Sequence, residues 1–366
     1  MNMKKSVFSF GIILLFSAIL WSCSDSSDNN LEEDLTLVQL MEVKANALSD
    51  AVLDISESEG FKIITVDDSE TLKSSNDSKI EMSITLDDIK GIYDYVHAVN
   101  DEQSSIKSNS HKWFNKVGDS ENFILQLPKE IAMHPSKLYE NEDAEYKNDF
   151  VITTSDYNYS YSGVGFNYVL DSKIDVDTEY VGELYIAWSI LLDMPIDYKS
   201  EFVFANGYSV SAEFGIGKTA SYEFSLKKGD EIIYKEEVDL TSSEDDEGEL
   251  EYAITLGNIK IVLNSELETY RVYRNGELEE GTLIQIVQLD QNSDEGDYGF
   301  CRKAIDVKIT FANGDIIQLS DFISDDTLDL MDEIFTSMYD IKFVKHIVDK
   351  VALEVYNTNS SVDSED

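Results

Sequence analysis

Two spacings of apolar residues divide the chain. Residues 35–57 place Val38, Met41, Ala45, Leu48, Val52 and Ile55 at alternating steps of three and four. That spacing lines one side of a helix. Thr36 followed by Gln39 reads as a capping box, and Gly60 stands where the helix is expected to stop. The stripe is heptad-like but short, so packing on the protein's own sheet is expected rather than a coiled coil.

From Phe61 to Asn148 the periods mix. Phe61–Val66 and Lys79–Leu86 read as strands, and Asp87–Val99 reads as a helix with Ile89, Tyr93, Val96 and His97 on one side. Ser104–Ser110 reads as a loop. Phe123–Leu127 reads as a strand stopped by Pro128, and Pro135 as the opening of a helical turn.

At Asp149 the period becomes two. Tyr157, Tyr159 and Tyr161 alternate with polar neighbours, as do Phe166, Tyr168 and Leu170, then Leu184, Ile186, Trp188 and Ile190. Tyr208, Val210, Ala212 and Phe214 continue the pattern, followed by Tyr222, Phe224 and Leu226, by Leu250, Tyr252, Ile254 and Leu256, and finally by Val307, Ile309 and Phe311. Asn206-Gly207, Gly229-Asp230, Gly257-Asn258, Asn275-Gly276 and Asn313-Gly314 separate the sets, and such pairs build tight hairpins. An antiparallel meander of about ten strands follows. Tyr180–Leu192 is apolar on both phases, so one of its faces is expected to meet helices and the other a second layer. Acids inside the strands, Glu183, Glu213, Glu223 and Glu251 among them, speak against a lipid-facing barrel.

Helical spacing returns in Asp321–Tyr339, through Leu328, Met331, Phe335 and Met338, and in Ile341–Tyr356, through Val344, Ile347, Val348, Val351 and Val355. The fold class is therefore α+β, a large antiparallel meander packed with N-terminal and C-terminal helices. The segments read as a signal (1–22), a tether (23–34), a mixed α/β region (35–148), the β region (149–320), C-terminal helices (321–356) and a polar tail (357–366).

Charge adds what the pattern cannot. The 366 residues hold 73 Asp and Glu against 28 Lys and Arg, a net charge of −45, with 42% hydrophobic and 11% aromatic residues. The apolar content supports a real core, and the charge excludes nucleic acid and an anionic membrane surface as partners. Two cysteines, Cys23 and Cys301, give no disulfide framework.

The first residues set the address. Lys4 and Lys5 precede an apolar run from Phe8 to Trp21, which ends in Leu20-Trp21-Ser22-Cys23. A basic start, a short apolar stretch and a small residue before the cut form an export signal. The four closing residues resemble the lipobox of bacterial lipoproteins. That resemblance implies lipidation of Cys23, removal of residues 1–22 and acylation of the new amino terminus. Several acyl chains anchor a protein stably where one does not. The stretch that follows, Ser24 to Asn30 and then Glu32, Glu33 and Asp34, is too polar to fold. It resembles the acidic tether of surface-exposed lipoproteins of Bacteroidetes, which implies a place in the outer membrane, facing outward, and often a glycan as partner.

Little in the rest points to chemistry. Ala212-Glu213-Phe214-Gly215-Ile216-Gly217-Lys218-Thr219 approaches a phosphate-binding loop, but Ala212 stands where the first glycine belongs and the stretch joins two predicted strands. Asp290, Asn292, Asp294 and Asp297 alternate as oxygen ligands for calcium would. Their turn glycine comes one residue late for an EF-hand, and Cys301 stands where the closing glutamate belongs. His97, His111, His134 and His346 have no metal-binding spacing, and no G-x-S-x-G elbow occurs. Tyr157, Tyr159, Tyr161 and Trp188 belong to a dense aromatic group. Such rings either stack on sugars or pack as ordinary half-buried strand residues. The expectation is a membrane-anchored, non-catalytic binding or scaffolding protein for a glycan or an envelope partner, without a cofactor; the acidic loop at Asp290–Asp297 is by default a solvated one, with calcium binding as its alternative. The alternatives are a carrier enclosing an apolar ligand between sheet and helices, and a hydrolase.

Overall fold

The computed structural model describes residues 35–66, 81–96, 113–133, 147–191, 196–217, 219–241, 249–264, 269–281, 283–288, 305–310, 314, 316–318, 321–339 and 342–362. The chain divides into two compact units, Met1–Glu42 and Val43–Asp366. Of the first, only the start of helix α1 (Leu37–Ser56) is described. Its capping box is formed: the Thr36 amide donates to Gln39 Oε1 at 3.0 Å, and the Gln39 amide donates to Thr36 Oγ1 at 3.3 Å.

The second unit is built on one wide sheet. In chain order its elements are the remainder of α1, α2 (Glu59–Ile64), β1 (Met82–Thr85), α3 (Leu86–Ile89), β2 (Gly91–Tyr95), β3 (Phe114–Gly118), β4 (Phe123–Leu127) and α4 (Lys129–Met133). The long strands follow: β5 (Phe150–Ser162), β6 (Gly165–Val176), β7 (Glu179–Leu191), β8 (Ile196–Phe204), β9 (Tyr208–Ile216), β10 (Thr219–Lys228) and β11 (Glu231–Thr241). Then come β12 (Glu249–Leu256), β13 (Ile259–Asn264), β14 (Thr269–Arg274), β15 (Glu277–Leu278), β16 (Leu283–Gln288), β17 (Ile305–Thr310) and β18 (Ile316–Gln318). Helices α5 (Asp325–Tyr339) and α6 (Lys342–Val362) close the chain.

Strands β4 to β15 lie side by side in sequence order, with β2 and β3 beyond β4 and β1 beside β5, making a 15-stranded sheet. Every pairing in it is antiparallel except β2 with β4. The period-two pattern and the Asn-Gly and Gly-Asp hairpins explain this run of neighbours. Asn275 takes φ +51° and Gly276 +81°, the left-handed pair such a turn demands. Strands β16, β17 and β18 form a separate three-stranded sheet, so Val307 and Ile309 belong to it rather than to the meander.

The sheet is wider than the pattern predicts because the mixed region adds four strands to it. Three local expectations change. Phe61–Val66 is not a strand: Ser58 Oγ accepts the Phe61 amide at 3.1 Å and starts helix α2. Gly60 does not stop α1 but lies inside α2, where a Cβ would come within 2.8 Å of Phe204 and 2.9 Å of Phe202. Only a glycine lets that helix lie so close to the sheet. Asp87–Val99 is not one helix either. A single turn, α3, gives way at Gly91, whose φ of +144° is closed to a helix, and β2 then pairs with β4.

One face of the sheet is apolar and covered. Ala45, Leu48, Val52 and Ile55 of α1 are buried, as are Met331, Phe335 and Met338 of α5 and Val344, Ile347, Val348, Val351 and Val355 of α6. Phe335 meets Phe224 edge to face, and the carbonyl of Met338 accepts Ser200 Oγ at 2.8 Å and the Tyr198 hydroxyl at 3.1 Å. At the other end of the strands the Tyr208 hydroxyl donates to Asp54 Oδ2 at 2.9 Å. Helix α6 continues through Asn357 to Val362, so part of the expected polar tail is helical. Among the described residues no second layer meets the opposite phase of β7: Glu183 is exposed, and Ala187 and Ser189 line an open groove.

Candidate functional site

The aromatic residues singled out in the sequence fall on the covered face. Cross-strand register puts Tyr159, Tyr168, Trp188, Tyr198, Phe214 and Tyr222 in one row across six strands, with Tyr157 one step further along β5 and under the helices. Tyr157 is 2% exposed and Tyr168 is fully buried. Both hydroxyls donate to Asp349 Oδ1 of α6, at 3.1 and 2.9 Å. Lys345 Nζ completes the cluster, 2.7 Å from Asp349 Oδ2 and over the Tyr168 ring. Burial, and then the nearby Asp349 carboxylate, push both phenols well above their ordinary range.

Tyr157 is therefore a core residue and offers no face to a sugar. Tyr159, Tyr161 and Trp188 are half-buried. Phe166 meets Tyr159 and Trp188 edge-on, at 5.5 and 5.2 Å between centroids, and Trp188 meets Tyr198 edge-on at 6.3 Å. Tyr198 and Phe214 stack at 4.9 Å. The row is mostly a herringbone packed beside the helices, not a flat platform.

A concave feature lies on the other face. A groove of about 430 Å³ is lined by Ala187 and Ser189 of β7, Asp197 and Lys199 of β8, and Glu213 and Gly215 of β9. Ser221 and Glu223 of β10 and Glu237 and Asp239 of β11 close it. Asn167 of β6 also borders it, as do Trp188, Tyr198, Phe214 and Tyr222, between the named positions on β7 to β10. On β11, residues 237 and 239 line it while 238 does not, as expected if its lining side chains belong to the phase pointing away from the helices.

Lysines tie part of its lining together. Lys199 Nζ lies 2.5 Å from Glu213 Oε1, and Lys235 Nζ lies 2.8 Å from both Glu223 Oε2 and Glu237 Oε1. Lys260 Nζ reaches Glu237 Oε2 at 3.1 Å. Burial by itself would raise the Glu237 carboxyl, but the two ammonium groups outweigh it and hold it below its ordinary range. Contact with Glu213 raises Lys199. Burial lowers Lys235, yet its two carboxylate partners leave it raised.

A second row, Asp197, Gly215, Ser221 and Asp239, crosses the same strands one step along. A Cβ added to Gly215 would sit 3.2 Å from Ser221 Oγ and 3.5 Å from Asp197 Oδ1, so these two oxygens converge over a floor without a side chain. Among the described residues neither Asp197 nor Asp239 makes an ion pair.

In the sequence Glu213 and Glu223 stood out only as acids inside strands, Glu213 and Gly215 as part of a phosphate-loop-like stretch, and Trp188 as an aromatic. Asp197, Ser221, Glu237 and Asp239 did not stand out, because they occupy the polar phase of strands recognised by their apolar phase. The Glu213–Thr219 stretch joins β9 to β10 as a hairpin, with the Gly217 amide donating to the Thr219 carbonyl. Cys23, the calcium candidates Asp290, Asn292, Asp294 and Asp297, and His97, His111, His134 and Cys301 lie outside the described residues. Among the described residues no group of three His, Cys, Asp or Glu side chains is arranged to hold a metal, and no helix is long and apolar enough to cross a membrane.

No protein-family model, curated protein or solved structure matches the chain.

Proposed function

We propose that this chain is a lipid-anchored protein of the outer membrane, held through Cys23, that binds a glycan or an envelope protein on the open face of its sheet without transforming it. One observation carries the reading: helices occupy one face of a 15-stranded sheet, and the other face presents a groove of about 430 Å³. A concave site with convergent polar groups on a rigid sheet is a binding-site geometry.

The groove's position favours surface binding over an apolar carrier, whose ligand would lie between sheet and helices. At Glu237 the electrostatics do not suit a hydrolase's general acid. A glycosidase's general acid needs a carboxyl kept protonated near neutral pH, whereas Glu237 is pushed the opposite way.

Two measurements test the proposal. Cys23→Ala should move the protein from the membrane to the soluble fraction; retention in the membrane at high salt would overturn the anchor. Soluble Cys23→Ala protein should give saturable binding on an array of glycans and envelope proteins. Ser221→Trp, which fills the groove from an exposed position, should abolish that binding without changing the thermal melt. Binding that survives Ser221→Trp would place the site elsewhere.

A further inference from the structure

We infer that the exposed end of the sheet's helix-bearing face docks an amphipathic helix with basic flanks, supplied by another protein and laid across the strands. This surface is separate from the groove and owes nothing to what the groove binds.

The surface is a single register row. It runs from Tyr161 on β5 to Leu250 on β12 through Phe166, Ile190, Ile216 and Leu240, and no position in it is charged. Side chains paired in register project from one face, so the row continues the apolar phase that the helices bury further along the strands. Here the cover thins. Ile216 is 51% and Leu240 44% exposed, whereas Val210 on β9 and Phe224 on β10 are 0% and 1% exposed. A continuous apolar band left open in so acidic a molecule marks an interaction surface.

The opposite end of the same face shows what fits. There the Tyr208 hydroxyl, at the start of β9, donates to Asp54 of α1 at 2.9 Å. Lys44 Cδ, earlier in that helix, lies 2.7 Å from where a Cβ would stand on Gly257, in the turn after β12. The helix rises about 15 Å between Lys44 and Asp54, and the strand intervals from β9 to β12 add up to about 14 Å. Helix α1 therefore runs across the strands, with Ala45, Leu48 and Val52 buried beneath it. By the same spacing the exposed row is about 34 Å long, the length of a helix of about 22 residues. With the aromatic row about 7 Å behind it, the band is as broad as one helix. A partner strand would need a sheet edge, which a face does not offer.

Charge selects the flanks. Asp239 beside Leu240, and Glu249 and Glu251 on either side of Leu250, are exposed. The sequence joining β11 to β12 adds Glu244, Asp245, Asp246 and Glu247. Helix α5 has no basic residue in its last turn, where the Met338 carbonyl accepts the Tyr198 hydroxyl. Such a helix end favours a nearby cation. A second copy of this chain would bring another net charge of −45 to the same place, so the fitting partner is a different, basic protein.

The test uses the soluble Cys23→Ala chain, which keeps detergent away from an apolar surface. The probe is a synthetic peptide of about 22 leucines and lysines, spaced to give one apolar helical stripe. Saturable one-to-one binding at high salt is expected, with a gain of helical signal in circular dichroism. A peptide of the same composition with its leucines scattered, and one with glutamate in place of lysine, should each bind at least about tenfold more weakly. Ile216→Thr with Leu240→Thr should weaken binding by about tenfold or more. Val117→Thr with Leu278→Thr, equally exposed on strands β3 and β15, should change nothing, and neither pair should move the thermal melt. Binding that survives the Ile216 and Leu240 pair, or equal binding of the scattered peptide, would reduce the effect to diffuse charge and overturn the inference. A lowered melt in that pair would overturn it too, by showing that the protein's own chain covers the row. So would self-association in sedimentation, or binding to neutral phosphatidylcholine vesicles, that the same pair abolishes: the occupant would then be a second copy or a lipid surface.

Discussion

The Tyr168 hydroxyl donates to Asp349 Oδ1 at 2.9 Å, joining the middle of the sheet to the last helix across 181 residues of chain. Tyr157 donates to the same oxygen, and Lys345 holds the other. Helix α6 is thus fixed by a polar anchor set into an apolar interface. Removing the carboxylate strands two buried hydroxyls and a lysine. Asp349→Ala should cost about 2–3 kcal/mol, read as a lowered midpoint in thermal or urea unfolding. Tyr168→Phe, which removes one donor and leaves the acceptor its other partners, should cost less. Equal effects would mean that the cluster contributes only through packing.

The same phenols set an alkaline limit. Burial raises Tyr157, Tyr168 and Tyr198 in the folded chain above the value of about 10 expected when unfolded. The folded state therefore keeps protons that the unfolded state releases. Their contribution is complete below pH 10 and declines as pH rises beyond it. Absorbance at 295 nm should show these tyrosines ionising together with loss of the far-ultraviolet signal, not before it. Early, reversible ionisation of all the tyrosines would contradict the burial.

Lys235 separates Glu223 from Glu237 on the open face. Lys235→Met should leave the two carboxylates facing each other and destabilise the protein by about 1–2 kcal/mol at neutral pH and low salt. The carboxyl of Glu237 is depressed in the fold, so the stability it contributes is present above about pH 4.3 and is lost as pH falls through its folded value. The gap between wild type and variant should therefore close in acid. A gap independent of pH would assign the loss to packing of the lysine stem.

Strand β10 offers a comparison of the two faces. Phe224 is 1% exposed beneath α5, whereas Ser221 is exposed in the groove. Phe224→Asp buries an unpaired charge and should abolish folding, since such a cost exceeds the margin of a typical domain, about 5–15 kcal/mol. Ser221→Asp should remain folded. Circular dichroism and solubility of the two proteins distinguish the outcomes.

Gly60→Val should also destabilise, by about 1–3 kcal/mol, although valine is the better helix former. The new methyl groups would press into Phe202 and Phe204, already close to the backbone there. A higher midpoint in this variant would show that α2 can rise from the sheet at little cost.

The meander was legible because a strand buried on one face advertises that face at every second residue, from Tyr208, Val210 and Ala212 to Tyr222, Phe224 and Leu226. Its hairpins were legible because their backbone angles admit few residues. The mixed region was harder, since its elements are short. Phe61, Ile63 and Ile64 suit a strand or a helix equally, and a cap at Ser58 together with the fit of Gly60 against two phenylalanines decides for the helix. In Gly91–Tyr95 the parallel partner, 32 residues further along the chain, decides for the strand. The groove was invisible for a related reason. Asp197, Ser221 and Asp239 look like ordinary solvent-facing strand positions until the register sets them in one row. The tyrosines had two readings in the sequence, sugar-stacking faces or half-buried strand residues, and the herringbone that packs beside α5 and α6 agrees with the second.

The outermost strand on one side, β15, is only two residues long, and both of them, Glu277 and Leu278, are exposed. On the far side β3 presents Asn115, Lys116 and Val117 to water, with Lys116 in an ion pair with Asp119. A broad ladder with long, bare margins would template a neighbouring molecule and grow into fibrils. Here one border is too brief to recruit a strand and the other carries charge, so even dense arrays of these molecules should stay unfused.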